Sequence, residues 1–133
     1  MNYVASHGEP MPDSIILYPR WLYVADGMAS DYHLPVTFRA AGTSLSGQAI
    51  SDSILIVAGK NWEDYEISGD ASIITLQPGI IGQRVNELLA PYGRMFAPDP
   101  ASKKSAMVGG IIINNASGMN CGTHANSDRI LRS

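Results

Sequence analysis

The stretch PVTFRAAGTSLSGQA, Pro35 to Ala49, places an apolar run directly before a turn that is rich in glycine and hydroxyl side chains. Val36 to Ala40 has the composition of a strand, whereas Gly42 to Ala49 carries no charge. A second apolar run, Ile54 to Ala58, is uninterrupted, which is typical of a strand covered on both faces. Two strands that flank a glycine turn predict a binding site at the turn.

The chain before this stretch predicts one strand and one helix. Residues 1–13 are polar and interrupted by proline, and Ser14 to Tyr18 is the first run with strand composition, ended by Pro19. The apolar spacing in Arg20 to Leu34 is compatible with a short amphipathic helix, although Gly27 weakens that pattern.

The chain after Gly59 predicts a hairpin and a core-facing helix. Gly69 and Asp70 mark a turn before a strand at Ser72 to Gln77, so the polar segment and this strand form a hairpin. A helical stripe follows, and Pro91 and Gly93 end it. The stripe consists of Ile81, Val85, Leu88 and Leu89. The last third is dense in small residues around one apolar run, Met107 to Ile113.

The composition excludes several classes of protein. The chain has 133 residues, 45% hydrophobic and 16% charged, which argues against disorder. A formal net charge of -3 makes nucleic acid an unexpected partner. The single cysteine, Cys121, cannot form an internal disulfide, and a reducing compartment is the default expectation. The sequence has no transmembrane segment and no export signal, so we expect a soluble, cytoplasmic protein.

The glycine turn has the chemistry of a phosphate-binding loop. Backbone N–H groups of such a turn can converge on an anion, and glycine lets the backbone approach closely. The spacing of Gly42 and Gly47 is that of a Walker A loop, but Gln48 and Ala49 replace its lysine and hydroxyl residue, which excludes ATP or GTP hydrolysis. A diphosphate held by backbone amides and hydroxyls remains. The hydroxyls are those of Thr43, Ser44 and Ser46. A plain glycine turn with no ligand is the alternative.

The last third offers a second surface of small residues, which would admit a flat ligand. These residues are Gly109, Gly110, Ala116, Gly118 and Gly122, with hydrogen-bonding groups beside them on Asn114, Asn115, Ser117 and Thr123. Close packing of a helix against a sheet also selects small residues and is the alternative explanation. Together the two uncharged stretches suggest an extended ligand, such as a nucleotide cofactor.

Other reactive residue types have simpler interpretations. His124, Asp128 and Asp99 have no metal-binding spacing, so we expect no metal site. Cys121 has no basic neighbour in sequence and is interpreted as a packing residue. Trp62, like Trp21, is interpreted as a packing residue.

Two motifs give the chain a family resemblance. PVTFRAAGTSLSGQ (35–48), followed by PDPASKKSAMVGGIIINNASGMNCGT (98–123), resembles the flavin-binding domain of the FAD-linked oxidases of the vanillyl-alcohol oxidase type, in particular their D-lactate dehydrogenase and glycolate oxidase branch. The resemblance implies an α+β fold with mixed sheets and flanking helices. It implies that residues 14–133 are a partial, truncated FAD-binding domain preceded by the polar segment 1–13.

The resemblance also implies which residues surround the cofactor, FAD. The pyrophosphate loop would be Arg39, Ala40, Ala41, Gly42, Thr43, Ser44, Leu45, Ser46, Gly47 and Gln48. The residues lining the cofactor would be Pro98, Asp99, Pro100, Ala101 and Ser102, and those lying against it Met107, Val108, Gly109 and Gly110. The residues near the flavin or its ribityl chain would be Asn115, Ala116, Gly118, Cys121, Gly122 and Thr123.

By the same resemblance, the full-length protein would oxidise a 2-hydroxy acid such as D-lactate or glycolate. The substrate would bind through a domain absent here, so the catalytic residues are unknown and this piece alone would not be catalytic. The segment CGTHANSD (121–128) is similar to long relatives fused to an iron–sulfur region, which is one candidate electron acceptor.

Two departures from the family pattern qualify these expectations. Pro19 to Pro35 is shorter than the family's first helix, and Cys121 replaces an aromatic residue that is commoner before this glycine. We therefore expect noncovalent FAD. Two other hypotheses stay open: a noncatalytic phosphate- or nucleotide-binding module, and a structural piece whose strand edges pair with another chain.

Overall fold

A three-stranded parallel sheet forms the first half of the fold. The structure, a computed structural model, describes residues 15–17, 29–47, 49–52, 54–118 and 127–130. Strands β1 (Ile15–Leu17), β2 (Val36–Arg39) and β3 (Ile54–Val57) occur in the order β1-β3-β2, and both pairs are parallel. Ile54, Leu55 and Ile56 are buried because β3 is the central strand, which confirms the predicted strand with two covered faces.

A separate antiparallel hairpin follows the parallel sheet, as the sequence predicted. It consists of β4 (Tyr65–Ile67) and β5 (Ile74–Leu76). Asp70 organises the turn, because its Oδ1 accepts hydrogen bonds from the Ser72 N–H at 3.0 Å, the Ser72 hydroxyl at 2.8 Å and the Ser68 hydroxyl at 3.0 Å. These hydrogen bonds between polar turn residues therefore stabilise the conformation of the loop that connects the two strands.

Helix α1 precedes β2 and is described over residues 29–32. These residues lie within the predicted segment Arg20 to Leu34, whose residues 20–28 lie outside the described part.

The predicted helical stripe forms a helix after the hairpin. Helix α2 (Gly82–Leu89) buries Val85 and Leu89 and passes into a 3-10 turn, Ala90–Tyr92. Gly93, with φ 64°, then ends the helical segment in the left-handed conformation that favours glycine.

The apolar run of the last third is also helical. Helix α3 spans Val108–Ile113 and helix α4 spans Ser127–Ile130. The buried Ser127 hydroxyl donates to the Ala116 carbonyl at 3.1 Å and lies 3.3 Å from the Ile111 carbonyl. This side chain thus attaches α4 to the end of α3.

The main core lies between α2, α3 and the hairpin. Its buried members are Ile80, Val85, Leu89, Phe96, Ala106, Val108 and Ile111, with the hairpin residues Ile74 and Leu76 packed against them. A smaller cluster joins Ile54 and Ile56 of β3 to Ala29 and Leu34. Within the described residues, no helix has the length and apolar character needed to cross a membrane.

The Asp70 turn makes the stability of the hairpin depend on pH. The Ser72 backbone N–H, helped by the Ser72 and Ser68 hydroxyls, lowers the pKa of Asp70 from 3.8 to about 2. Because the folded state lowers this pKa, the ionised carboxylate stabilises the fold above pH 3.8, and this contribution disappears as the pH falls through about 2. We expect Asp70→Asn to lower the urea midpoint at pH 6 and to have little effect near pH 2.

The matched control is Asp52→Asn, since Asp52 is an exposed aspartate outside the hairpin. It should change the urea midpoint little at either pH. A stability deficit in Asp70→Asn that is the same at pH 6 and pH 2 would contradict a role for the charge.

Gly79 joins the end of the hairpin to the loop after β3, and there is no room for a side chain. A Cβ at this position would stand 2.6 Å from the Trp62 carbonyl oxygen and 2.7 Å from that of Gly59. These are backbone atoms that cannot rotate away, so Gly79→Ala should reduce the free energy of unfolding by about 2 kcal/mol in urea denaturation. Gly69→Ala is the control, because no atom lies within 4 Å of a Cβ there. Equal effects of the two substitutions would rule out this packing argument.

Candidate functional site

A cavity of about 330 Å³ lies where β2 and β3 end. Arg39 ends β2, Ala58 follows β3, and the two are joined by a 2.8 Å hydrogen bond from the Ala58 N–H to the Arg39 carbonyl. Both residues line the cavity, which continues across to the start of α3. Open α/β sheets commonly bind ligands outside the carboxyl ends of parallel strands.

The glycine turn forms one wall of the cavity. Gly42 has φ 70° and Gly47 has φ 82°, so both occupy the left-handed region in which a side chain is strained. The Ile50 N–H closes the turn on the Gly47 carbonyl at 3.1 Å. Within the described residues, no backbone carbonyl accepts a hydrogen bond from the N–H groups of Gly42 and Thr43, which leaves these donors available to a ligand.

The opposite wall is the first turn of α3, where glycine permits close approach. A Cβ on Gly109 would stand 2.7 Å from the Cβ of Pro78, and one on Gly110 would stand 3.3 Å from the Cβ of Ala40. These contacts bring α3 against both the hairpin end and the start of the glycine turn. Close packing therefore explains why Gly109 and Gly110 are small, in addition to the space that they leave for a ligand.

Arg39, which was predicted to belong to the pyrophosphate loop, brings a positive charge to the cavity beside the uncharged turn Gly42 to Ala49. Its guanidinium lies over the glycine turn, because a Cβ on Gly42 would stand 2.5 Å from Nε and 2.6 Å from Nη2. The Nε atom is buried and has no hydrogen-bond partner in the described part of the chain. Among the described residues that line the cavity, Arg39 is the one charged side chain.

In the PDP segment, residues 98–100, Pro100 lines the cavity, whereas Pro98 and Asp99 lie outside it. The Asp99 carboxylate forms an ion pair with Lys103, four residues later. A Cβ on Gly118 would stand 1.8 Å from the Asp99 carbonyl oxygen, so Gly118 packs directly on this segment. Close packing therefore explains Gly118 without any contact to a ligand.

The structure brings together part of the predicted cofactor-binding set. The predicted residues that line the cavity are Arg39, Ala40, Ala41, Gly42, Thr43, Ser44, Pro100, Ser102, Met107, Gly109, Gly110 and Ala116. The predicted residues that do not line it are Leu45, Ser46, Gly47, Pro98, Asp99, Ala101, Val108, Asn115 and Gly118. Gln48, Cys121, Gly122 and Thr123 lie outside the described residues.

The cavity also contains residues that sequence reasoning did not assign to it. Trp62 was interpreted as a packing residue, and Phe38 as part of a strand, yet both aromatic side chains line the cavity. Ala58 and Pro78 also line it. The sequence could have indicated that Trp62 and Pro78 lie near the site, since each is close in sequence to the end of a predicted strand.

A second cavity, of about 810 Å³, lies on the other side of α3. Its lining is mainly aliphatic and includes Ile73, Ile74, Leu76 and Ile112. It has no glycine turn, and Arg94 is the one charged residue among the described residues that line it. Among the residues that the structure describes, no group of three potential metal ligands occurs. His124 and Cys121 lie outside those residues.

Comparison with known proteins identifies the family of the chain. A family model described as an FAD binding domain matches residues 27–133, which include all of the described cavity. The expected cofactor, FAD, is thereby confirmed for the family.

Curated relatives match only with part of their length. The chain is 33% identical to the glycolate oxidase subunit GlcD of Escherichia coli (strain K12) over 90 residues, 66% of this chain and 18% of the relative. It is 31% identical to D-2-hydroxyglutarate dehydrogenase of Pseudomonas putida over 98 residues, 72% of this chain and 10% of the relative. It is 27% identical to D-lactate dehydrogenase of Archaeoglobus fulgidus over 92 residues, 68% of this chain and 20% of the relative.

The matched region thus spans a fifth or less of these relatives, 10% to 20% of their length. The family model, in contrast, matches most of this chain and includes both motifs that carry the resemblance. On that match, the chain belongs to the FAD binding domain family.

Proposed function

We propose that this chain is the FAD-binding portion of a flavin-dependent oxidoreductase that oxidises a 2-hydroxy acid in the full-length protein. The observation that carries the proposal is the cavity between the glycine turn and the start of α3. Support for the substrate class comes from the relatives, whose names specify glycolate, D-2-hydroxyglutarate and D-lactate. All three compounds are 2-hydroxy acids.

The residues of the cavity fit a flavin dinucleotide. The turn provides the N–H groups of Gly42 and Thr43, which no backbone carbonyl of the described residues accepts from, the glycines of α3 leave an open surface, and Trp62 offers an aromatic face. A volume of about 330 Å³ is at the lower end of the range for small-molecule sites, about 300 to 1,000 Å³. In our proposal, the cavity holds the part of the cofactor nearest the diphosphate.

Within this proposal, the chain binds and orients the cofactor rather than performing the redox chemistry. When bound, FAD supplies the acceptor for a hydride equivalent from the carbon that bears the substrate hydroxyl. The turn amides and the hydroxyls of Thr43, Ser44 and Ser102 would provide hydrogen bonds, and Gly109 and Gly110 would keep side chains out of the ligand's path. We infer noncovalent binding.

We infer that the parallel sheet and the hairpin are parts of a vanillyl-alcohol oxidase type fold, with residues 14–133 forming a partial FAD-binding domain after the polar segment 1–13. The 2-hydroxy acid would bind through another domain, and an iron–sulfur region remains one candidate acceptor. Cytoplasmic localisation stays a prediction.

A fluorescence titration of this chain with FAD, FMN and ADP tests the binding function. We expect saturable binding of FAD that is tighter than binding of ADP, because FAD also offers a flavin ring to the apolar wall. Gly42→Ala should weaken FAD binding about tenfold more than Gly47→Ala does, since overpacking costs about 1–3 kcal/mol.

Gly47→Ala is a matched control, because both glycines have positive φ but only a Cβ on Gly42 meets neighbouring atoms within 4 Å. Equal losses in the two variants would show that backbone strain, rather than intrusion at the cavity wall, controls binding. Equal affinities for FAD and ADP would favour the alternative function, a noncatalytic nucleotide-binding module.

Anaerobic mixing of the full-length flavoprotein with substrates tests the proposed reaction. We expect glycolate, D-lactate or D-2-hydroxyglutarate to bleach the flavin absorbance band, because transfer of the hydride equivalent from the substrate to the cofactor reduces the flavin. The 3-hydroxy analogue of lactate is the control and should leave the band unchanged. Bleaching by neither class of acid would remove the support for a 2-hydroxy acid oxidoreductase while leaving FAD binding intact.

A further inference from the structure

The loop of residues 98–106 carries two residues of the cavity wall, although it contains neither a helix nor a strand. These two residues are Pro100 and Ser102, and they lie between Asp99 and Lys103 in the sequence. No regular element imposes the conformation of this part of the wall. Other interactions must therefore hold it, since loops are ordinarily more mobile than the elements they connect.

An ion pair joins the two ends of the stretch that faces the cavity. The side chains of Asp99 and Lys103 are 16% and 21% exposed, whereas those of the paired Arg84 and Glu87 on α2 are 58% and 51% exposed. Exposed pairs contribute little, but removal of one partner from a largely buried pair leaves an uncompensated charge. The pair between Asp99 and Lys103 can therefore restrain the backbone between its members.

Both members of this pair are attached to other parts of the fold. The backbone at Gly118 packs on the Asp99 carbonyl, because a Cβ there would overlap the carbonyl oxygen. The Lys103 carbonyl accepts a hydrogen bond from the Gln83 N–H at 3.0 Å. A Cβ on Gly82 would stand 3.3 Å from the Lys103 Cγ, so the lysine stem lies over the start of α2. The ion pair thus connects two fixed points, and the residues between them include those that line the cavity.

Backbone hydrogen bonds fix the peptide group that follows Ser102. The Ser102 carbonyl accepts hydrogen bonds from the N–H groups of Ser105 and Ala106 at 2.8 and 2.7 Å. The N–H of the same peptide group, which belongs to Lys103, donates to the Pro100 carbonyl at 2.9 Å. The Lys103 side chain is attached to the residue whose N–H makes this bond. Its ion pair therefore restrains the orientation of a peptide group on which the direction of the Ser102 side chain depends.

We propose that Lys103 is a positioning residue of the cofactor site, which acts through its ion pair with Asp99 to hold the Ser102 hydroxyl toward the ligand. The inference rests on the proposed function, in which this hydroxyl forms a hydrogen bond with FAD. Lys103 itself does not line the cavity. Asp99 then contributes to the site by binding Lys103 rather than by lining the cofactor.

Fluorescence titration of FAD into single and double variants of this chain tests the proposal. Lys103→Met keeps an apolar stem over Gly82 but removes the charge, and it should weaken FAD binding about 3- to 10-fold, as for loss of one hydrogen bond. Ser102→Ala should cause a loss of similar size. The double variant should bind FAD no more weakly than the weaker single variant, because both changes remove the same interaction. Lys103→Arg should recover most of the affinity, since it restores a cation that can pair with Asp99.

Lys104→Met is the matched control, because Lys104 is the next residue along the chain, is exposed and does not line the cavity. It removes the same charge and should leave the FAD affinity unchanged. Urea midpoints without ligand identify any variant that fails to fold. If Lys103→Met fails, Lys103→Gln replaces it, since glutamine retains a hydrogen-bond donor for Asp99. It should cause a smaller loss and the same lack of additivity with Ser102→Ala.

Losses that add fully in the double variant, or an unchanged affinity in Lys103→Met, would overturn the inference and keep the proposed function. If the unaltered chain does not bind FAD, the proposed function fails, and amide hydrogen exchange then decides the inference without a ligand. Lys103→Met should speed exchange at Ser105 and Ala106 more than at Val85 on α2, whereas Lys104→Met should not. Equal exchange in the two lysine variants would overturn the inference as well.

Discussion

The cavity depends on backbone hydrogen bonds that join residues 78–82 to residues 106–109. The Gly82 N–H donates to Ala106, while the Val108 and Gly109 N–H groups donate back to Ile80 and Pro78. An antiparallel bridge between Ile81 and Met107 lies at the centre of this exchange. Backbone carbonyls beside the start of each helix therefore accept hydrogen bonds from N–H groups at the start of the other. These bonds hold α3 in the position where its glycines contact the end of the hairpin and the start of the glycine turn.

These reciprocal backbone hydrogen bonds explain why neither α2 nor α3 needs a polar residue at its start. The residues before α2 and α3 are Ile81 and Met107, and neither helix has a side-chain cap. Helix starts ordinarily leave N–H groups that side chains or water must satisfy. Here backbone carbonyls do so, which allows apolar residues at the helix starts and lets the core of Ile80, Ala106 and Val108 pack immediately beneath the site.

The backbone hydrogen bonds between residues 78–82 and 106–109 also show what the sequence could not predict. The apolar runs of β1, β2 and β3, the Gly69-Asp70 turn and the stripe of α2 are local patterns, and each predicted the element that the structure contains. Helix α3 was seen only as an apolar run among small residues, because backbone-to-backbone capping leaves no side-chain signature. The pairing of residues 78–82 with 106–109 likewise has no local signal, since carbonyl oxygens are common to every residue.

The candidate site shows a related limit, which concerns charge: the family resemblance placed Arg39 in the pyrophosphate loop, but no sequence pattern indicated that its guanidinium covers the turn. The turn from Gly42 to Ala49 is uncharged in sequence, yet the fold covers it with the guanidinium of the residue that ends β2. The absence of a side chain on Gly42 allows this, so one glycine supplies both the turn conformation and the space for a cation. A guanidinium that packs on the turn has fewer conformations to lose when a ligand binds than one that is free in solvent, and charges interact more strongly in a partly desolvated cavity than in water. The neutral composition of the loop and the charge of the site are therefore compatible, because they come from different elements of the fold.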